Sequence, residues 1–498
     1  MVMATSDQSS TQSSHESPIP SPKRQKSTED GGHSDDRISD LPNSVLLHIL
    51  SFLPTKGVVA TGVLSKRWKL LWASVPCLDF DDRNFLKRGG NVAFRNVVNK
   101  ILLEHNASIR EFRVNCRYSR PCDVDIELWI RKAISRNVQV LGLCVPYNIH
   151  TNGGLSVQLP RGIFSCQTLV VLKLIGEALM ISVPSTAYLP NLKTLELSSV
   201  RYQNEESVTN LISCSLGLEN LSIWMKTSKN MPYMHVPKLR IHAPAMKSLQ
   251  IVKGRHGRAS ADDVLDISAP ALSELTIEDH VSDSLQITNM GSLNKANLNL
   301  HKTLSYQWLI KCFEAFRNIK CLSLSGDIPT ALNFESGLPL VKFLNLTHLT
   351  MGCVWRPMLV YFLQCFEKLQ VLRLTKNRSC SGSVHPEELW NDPVLVPRCL
   401  MTCLRTIWIQ DFRESEFELS MLKYVLKNGK VLQKLEICPA DTHRPWNIST
   451  REGGVARKFE LKFLRSEGNY RQLEAKYSIA KKIMNIQKGS DACEIDIL

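Results

Sequence analysis

Apolar residues recur at helical spacing in a short stretch near the start of the chain. One face takes the i, i+3, i+4, i+7 positions, at Leu46, Ile49, Leu50 and Leu53. A second face repeats the spacing at Trp68, Leu71, Trp72 and Val75, with Leu64 one turn earlier. A unit of about 45 residues is too small to bury this much apolar surface internally. The surplus predicts a partner-binding face; the alternative is a helical hairpin whose apolar stripe is only its own core.

Polar residues and prolines mark where these helices begin and end. Asp40 suits a cap and Pro42 the first turn of the first helix. Pro54 ends that helix, and Thr55 and Ser65 are candidate caps for two more. The stretch therefore predicts a unit of three helices.

The same stretch resembles an F-box. The match is carried by Leu41-Pro42, Ile49-Leu-Ser-Phe-Leu-Pro-Thr-Lys56, Val63-Leu-Ser-Lys-Arg-Trp68 and Leu71-Trp72. The resemblance implies docking on a Skp-type adaptor, and through it membership of a cullin–RING ubiquitin ligase. The residues expected to contact the adaptor are Leu41, Pro42, Leu46, Ile49, Leu53, Pro54, Leu64, Trp68 and Trp72. Gly57 and Gly62 depart from the family pattern and cost about 1 kcal/mol each relative to Ala in a helix, so weaker docking is expected.

A second pattern, L-x-x-L-x-L, takes over from about residue 80. Its clearest copies begin at Leu169, Leu192, Leu218, Met246 and Leu272, at intervals of 23 to 28 residues. Less regular or later copies begin at Ile109, Val138, Lys295, Ile319, Leu346, Leu369, Leu404 and Leu432. The interval falls within the period of leucine-rich repeats.

Each copy of this motif predicts a short strand with alternate residues facing inward. Segments 306–316, 356–366 and 420–426 have helical spacing, so every copy is expected to pair a strand with a helix. Neither half buries its apolar face alone, which predicts a curved solenoid with a parallel strand surface on its concave side. The alternative is a compact α/β domain whose strand–helix units mimic the period.

The repeats also resemble those of plant F-box proteins with leucine-rich repeats, at 159–160, 166–174, 189–197 and 200–202. The C-terminal part resembles the FBD domain of those proteins, at 390–393, 396–400, 404–412, 432–437 and 490–495. This segment has the pattern of a strand, an amphipathic helix and a strand, which can cap a solenoid.

The expected fold is therefore α/β: a three-helix F-box, then an irregular leucine-rich-repeat solenoid, then an FBD cap. The expected boundaries are a disordered tail at 1–36, the F-box at 37–81, the repeats at 82–389 and the FBD domain with the C-terminal cap at 390–498.

Composition limits the class of protein further. Lys and Arg exceed Asp and Glu by 14, and this excess is spread along the chain. It allows acidic partners, but no groove-reading or base-stacking motif favours nucleic acid. The 15 cysteines are scattered, with no CxxC pair, as expected of free thiols in a reducing compartment. With no signal peptide and no long apolar run, the expected location is the nucleus, the cytoplasm or both.

Motifs for catalysis, phosphate cradling or metal ligation are missing from the sequence, so no cofactor is expected. The glycine-rich basic segment 253–258 is interpreted as a solvated turn rather than a phosphate site, and the basic cluster 22–26 as an ordinary charge cluster rather than an import signal. The sequence thus predicts a chain without catalytic chemistry of its own.

The favoured hypothesis is a substrate-recognition subunit that docks on the adaptor through the F-box and binds a target protein through the repeats. One alternative is a small-molecule receptor, which requires basic strand residues such as Lys173, Lys193 and Arg373 to converge. A second is an interaction scaffold with no ligase role, and a third is a nucleic-acid binder with steep salt dependence.

Overall fold

The computed structural model describes the chain in segments. These are residues 38, 40–85, 90–118, 123–145, 157–225, 236, 238–254, 263–280, 282, 284–301, 306–326, 341–352, 358–375, 390, 392, 395–440, 478–483, 486, 489–490 and 492–497. The predicted tail at 1–36, the basic cluster 22–26 and most of segment 253–258 lie outside them.

The chain divides into two units, residues 1–46 and 47–498. In the first unit, the carbonyl of Pro42 accepts hydrogen bonds from the amides of Val45 and Leu46 at 3.0 and 3.1 Å. These bonds start helix α1, Asn43–Leu50, which continues into the second unit. Pro42 therefore lies one residue before the helix rather than in its first turn.

Short helices open the second unit. Helix α2 spans Thr55–Ala60, a 3-10 turn follows at Thr61–Val63, α3 spans Lys66–Leu71, and a second 3-10 turn takes Trp72–Ser74. The Ser65 hydroxyl accepts a hydrogen bond from the backbone N–H of Trp68 at 3.4 Å. The predicted role of Ser65 as the cap of α3 is confirmed.

Thr55 is not a cap, and that prediction is wrong. The cap position of α2 belongs to Pro54, and the Thr55 hydroxyl instead accepts the backbone N–H of Asp79 at 2.6 Å. A hydroxyl at a helix start satisfies whichever donor lies closest, and here that donor lies in the first strand of the protein.

Short strands make up most of the remainder. In chain order they are β1 Cys77–Asp81, β2 Glu111–Asn115, β3 Val140–Cys144, β4 Val157–Gln158, β5 Val171–Ile175, β6 Leu179–Ile181, β7 Thr194–Ser198, β8 Arg201–Tyr202, β9 Asn220–Met225, β10 Lys238–His242, β11 Ser248–Lys253, β12 Val264–Ser268, β13 Glu274–Asp279, β14 Ser284–Thr288, β15 Lys295–Leu300, β16 Cys321–Gly326, β17 His348–Gly352, β18 Val371–Thr375, β19 Thr406–Phe412, β20 Lys434–Pro439 and β21 Glu494–Ile497.

Fifteen of these strands form one sheet, the main sheet, in the order β1-β2-β3-β5-β7-β9-β11-β13-β15-β16-β17-β18-β19-β20-β21. Each strand is parallel to its neighbours and pairs with the strand before and after it in that order. The strand surface predicted from the repeat period is confirmed.

The two inward leucines of each motif stack in register through the sheet. Leu172 is paired with Leu195, and Leu195 in turn with Leu221. These side chains are buried, in strands whose exposure alternates residue by residue. Burying one such leucine contributes about 1.5–3 kcal/mol, and the neighbouring strands provide the cover.

The repeat at β15 lies two residues earlier than its motif suggested. Leu275 pairs with Ala296 and Ile277 with Leu298, so the equivalent copy begins at Leu293 and not at Lys295. Alanine occupies the first inward position and hides the motif. The predicted register of this copy is therefore wrong, although the strand is present.

Helices also connect the strands. They are α4 Gly90–Glu104, α5 Asp123–Ile134, α6 Ser207–Ser213, α7 Tyr306–Ala315, α8 Met358–Leu363, α9 Arg398–Thr402 and α10 Glu416–Asn428. Helices α7, α8 and α10 coincide with the three segments of helical spacing, so those predictions are confirmed.

The expectation that every copy carries a helix is wrong. Two further parallel sheets, β4-β6-β8 and β10-β12-β14, run along the returning segments. In β10, Leu239 and Ile241 are buried while Lys238, Arg240 and His242 are exposed. Such period-two alternation specifies a strand, so the returning segments of these copies form strands in place of the predicted helices.

The C-terminal segment extends the main sheet. Strand β19, helix α10 and strand β20 give the predicted strand–helix–strand order, and β21 pairs with β20 as the last strand of the described sheet. A capping box starts α10, with Ser415 and Glu418 each accepting the other's backbone N–H. The segment thus shares the ladder of the repeats.

The described cysteines are free thiols. Burial raises the pKa of Cys365 and of Cys399 to about 12. A thiol in this state is protonated at neutral pH and behaves as a small apolar residue.

Replacing Leu195 by Ala should lower the free energy of unfolding by about 2–5 kcal/mol, because the cavity opens between two packed strands. Urea titration of the full chain measures this. Leu216→Ala is the matched control, since Leu216 is 70% exposed and should change stability by less than about 0.5 kcal/mol. Equal effects from the two substitutions would contradict the packing described.

Candidate partner-binding surfaces

Exposed apolar side chains are concentrated in the helices that open the second unit. Of twenty large apolar side chains exposed among the described residues, seven lie between residues 49 and 70: Ile49, Phe52, Leu53, Val59, Val63, Leu64 and Leu70. The same helices bury Leu50, Val58 and Leu71. The seven exposed side chains are additional to those that the helices bury, and we call the seven together the helical face.

The residues predicted to contact an adaptor differ in exposure. In the second unit, Leu64 is 65% exposed, Ile49 44% and Leu53 41%, and Pro54 is also exposed. Trp72 is half-buried and Trp68 is buried. In the first unit, Pro42 is exposed, Leu41 half-buried and Leu46 buried.

Three more exposed side chains belong to the helical face: Phe52, Val63 and Leu70, which are 76%, 89% and 75% exposed. They were absent from the predicted contacts because they do not follow the i, i+3, i+4, i+7 spacing that identified the two predicted faces. A large apolar residue off those two faces is the signal that identifies them. Phe52 also meets the ring of His48 edge-on at 5.0 Å.

The two tryptophans have structural contacts. Trp68 is 9% exposed, and Trp72 packs against the core formed by the strands and their connecting helices. Only Val75 and Pro76 separate the second 3-10 turn from β1. With the Thr55–Asp79 hydrogen bond, these contacts attach the helical face directly to the main sheet.

A buried histidine lies at the same junction. The Nε2 atom of His105 is 2.9 Å from the carbonyl oxygen of Val75, and its Nδ1 atom is 3.0 Å from the guanidinium of Arg136. Since a guanidinium only donates, Nδ1 accepts and Nε2–H donates to Val75. Burial, above all, lowers the pKa of His105 below its ordinary value of 6.5, and Arg136 adds to the shift.

The outward side of the main sheet is polar, and in its early strands charges pair across neighbours. Lys173 on β5 lies 2.8 Å from Glu196 on β7. The Glu219 carboxylate lies 3.2 Å from the ammonium group of Lys193 and 2.8 Å from that of Lys247. Hydrogen bonds from these two lysines lower the pKa of Glu219. These cations are already compensated within the chain.

The basic residues Lys173, Lys193 and Arg373 do not converge. Arg373 lies on β18, eight strands along the sheet from β5, a distance of about 38 Å at the usual strand spacing. The small-molecule-receptor alternative, which required these three residues to converge, therefore loses its basis.

A hollow of about 330 Å³ lies on the sheet between β16 and β19. It is lined by the small residues Ser323, Ser325, Thr350, Gly352 and Thr375 and by the larger Leu324 and Gln410. Within the described segments, no three His, Cys, Asp or Glu side chains are grouped to hold a metal ion. No helix in those segments has both the length and the apolarity needed to cross a bilayer.

Fold and surfaces together define a leucine-rich-repeat protein whose first helices expose large apolar side chains. A family model described as "F-box domain" matches residues 38–80, one described as "FBD-associated F-box protein At5g56370, LRR repeats" matches 126–374, and one described as "FBD" matches 392–437. The F-box match ends within β1, and the FBD match covers β19, α10 and most of β20.

Full-length relatives agree with these matches. The F-box/FBD/LRR-repeat protein At3g52680 of Arabidopsis thaliana is 33% identical over 80% of this chain and 84% of its own. The F-box/FBD/LRR-repeat protein At4g00160 of the same plant is 32% identical over 80% and 85%. A putative FBD-associated F-box protein, At3g50710, is 31% identical over 84% and 95%. This chain belongs to the plant F-box/FBD/LRR-repeat family.

The junction at His105 should make folding pH-dependent. Because the pKa of His105 is lower in the folded chain, the unfolded chain takes up the proton first as the pH falls. The contribution of neutral His105 to the free energy of unfolding is therefore complete above about pH 6.5 and is lost below it. The loss is at most about 1.4 kcal/mol per pH unit. Urea titrations at several pH values should give a shallower decline for His105→Gln than for the unchanged chain. Parallel declines would contradict the role of His105.

Proposed function

We propose that this chain is a non-catalytic substrate-recognition subunit of a Skp–cullin–F-box ubiquitin ligase. Its helical face docks on the Skp-type adaptor, and the main sheet binds the target protein. The observation that carries the proposal is the helical face itself, seven exposed apolar side chains within residues 49–70. An F-box in this family implies adaptor binding in general, and the exposed face supplies a surface for it.

The exposed members of the predicted set are the proposed direct contacts: Pro42, Ile49, Leu53, Pro54 and Leu64. Phe52, Val63 and Leu70 join them because they are more exposed still. Leu41, Leu46, Trp68 and Trp72, which are buried or half-buried, support the shape of the helices and contribute less contact area. Exposed apolar side chains such as the direct contacts dominate the binding energy when a partner covers them fully.

The proposed action is to bring a target to the ubiquitin-transfer machinery. Holding two proteins together raises the effective concentration of one at the other. This works best when the two binding surfaces are connected without a flexible linker. The short passage from Ser74 to Cys77 and the Thr55–Asp79 hydrogen bond support such a connection.

We extend the proposal to location and partner charge. Free, buried cysteines suit the reducing nucleus or cytoplasm. The sequence from Asn43 to Val75 contains Lys56, Lys66, Arg67 and Lys69 and no Asp or Glu. A basic, apolar surface is complemented by an acidic one, so the adaptor surface that it meets is acidic.

The double substitution Leu53→Asp with Leu64→Asp should reduce adaptor recovery at least tenfold, roughly, because two carboxylates would be buried without partners. Co-purification of the full chain with a Skp-type adaptor measures this. Leu216→Asp is the control: Leu216 is 70% exposed, close to the 65% of Leu64, but lies outside the helical face. Unchanged recovery would overturn the docking assignment, and absence of the adaptor from the unchanged chain would favour a scaffold with no ligase role.

Raising the salt concentration from about 50 to about 500 mM should slow association with the adaptor while leaving dissociation nearly unchanged, because steering between exposed charges is screened. Surface plasmon resonance separates the two rates. The variant Lys56→Ala with Lys69→Ala should lose most of the salt dependence. An association rate that does not respond to salt would contradict an acidic partner surface.

A further inference from the structure

The outward side of the main sheet changes character at β15. Strand side chains alternate between core and solvent, and the outward positions of β15–β18 are Lys295, Asn297, Asn299, Cys321, Ser323, Ser325, His348, Thr350, Gly352, Val371, Arg373 and Thr375. No carboxylate occurs among these described positions. Glu274 and Glu278 on β13 and Asp411 on β19 bound this region on its two sides.

Arg373 lies on β18, the last strand of the acid-free region. It is exposed on β18 and pairs in register with Thr350 on β17, which in turn is aligned with Ser323 on β16. Among the described residues Arg373 has no ion-pair or hydrogen-bond partner, in contrast to Lys173, which is held by Glu196. Within the described segments, the positive charge of Arg373 is therefore uncompensated.

Two residues of this row, Ser323 and Thr350, line the 330 Å³ hollow, and Arg373 is the next residue along the row. The hollow exists because the side chains are small: a Cβ atom at Gly352 would lie 3.0 Å from the Cβ of Ser325. The hydroxyls of Ser325 and Thr375 donate to backbone carbonyls at 3.4 Å. Those of Ser323 and Thr350, which also line the hollow, have no partner within the described part of the chain.

We propose that this hollow binds a carboxylate side chain from an acidic segment of the target protein. The inference rests on the proposed function, whose target-binding surface it makes specific. An ionised carboxylate offers about four acceptor positions and pairs with a guanidinium through two of them. Arg373 supplies those two N–H donors, and the free hydroxyls of Ser323 and Thr350 supply two more.

Further cations favour an acidic segment over a single acidic residue. Lys320 and Arg405 are exposed just before β16 and β19, and Lys295 is exposed at the start of β15. They lie at the edge of the acid-free region where the parallel strands begin. An extended acidic segment that crosses these strands would place its carboxylates near one cation after another.

A fluorescein-labelled peptide of alternating Glu and Gly tests the proposal by fluorescence anisotropy with the full chain. A Gln–Gly peptide of the same length is the neutral probe, and a phosphoserine–Gly peptide is the phosphate probe. The Glu peptide should bind, and Arg373→Ala should weaken it about tenfold, the loss typical of a charged hydrogen-bond pair. Thr350→Val, which keeps the side-chain shape, should weaken it several-fold.

Arg240→Ala is the matched control, because Arg240 is also an exposed strand arginine but lies on β10 in a different sheet. It should leave binding unchanged. Equal binding of the Glu and Gln peptides, equal losses from Arg240→Ala and Arg373→Ala, or binding of the phosphoserine peptide alone would overturn the carboxylate subsite. Co-purification of the adaptor with the same preparations distinguishes failure of the carboxylate subsite from failure of the proposed function. Adaptor binding through the helical face does not involve Arg373.

Discussion

Each strand of the main sheet buries two apolar side chains that only its neighbours can cover. Leu195 and Leu197 are enclosed because Leu172 and Leu174 lie on one side and strand β9 on the other. The remaining architecture follows from this requirement. It fixes the register, sets the repeat length, and makes the C-terminal strands part of the same ladder rather than an independent domain.

The same requirement explains why the helical face is significant. In the repeats, inward apolar positions are covered by the next strand, whereas the exposed apolar side chains between Ile49 and Leu70 have no such neighbour within the described chain. The helices are nevertheless fixed to the sheet through Trp72, the Thr55 hydroxyl and the histidine at position 105. A partner held on these helices is therefore held at a defined position relative to the sheet.

Much of the fold could be predicted from the sequence, because the repeat period and the inward leucines are local signals. The prediction failed where the local signal was weak. Ala296 takes the place of a leucine in β15, so the start of that repeat was predicted two residues too late. The alternation of buried and exposed residues in β10 was missed because the leucine pattern of the repeats is stronger. The helical unit was located correctly, but exposure within it was not predictable from spacing alone, since Trp68 became buried while Phe52 did not. The proposed carboxylate subsite depends on Ser323, Thr350 and Arg373, which are far apart in sequence and are aligned only through the strand register.

Hydrogen–deuterium exchange of the full chain with and without a purified Skp-type adaptor tests the central claim most directly. Docking on the helical face should slow amide exchange in residues 47–74 and leave strands β15–β18 unchanged, because the proposed target-binding region is separate from the proposed adaptor surface. Adaptor-dependent protection confined to the strands, or no protection anywhere, would contradict the account.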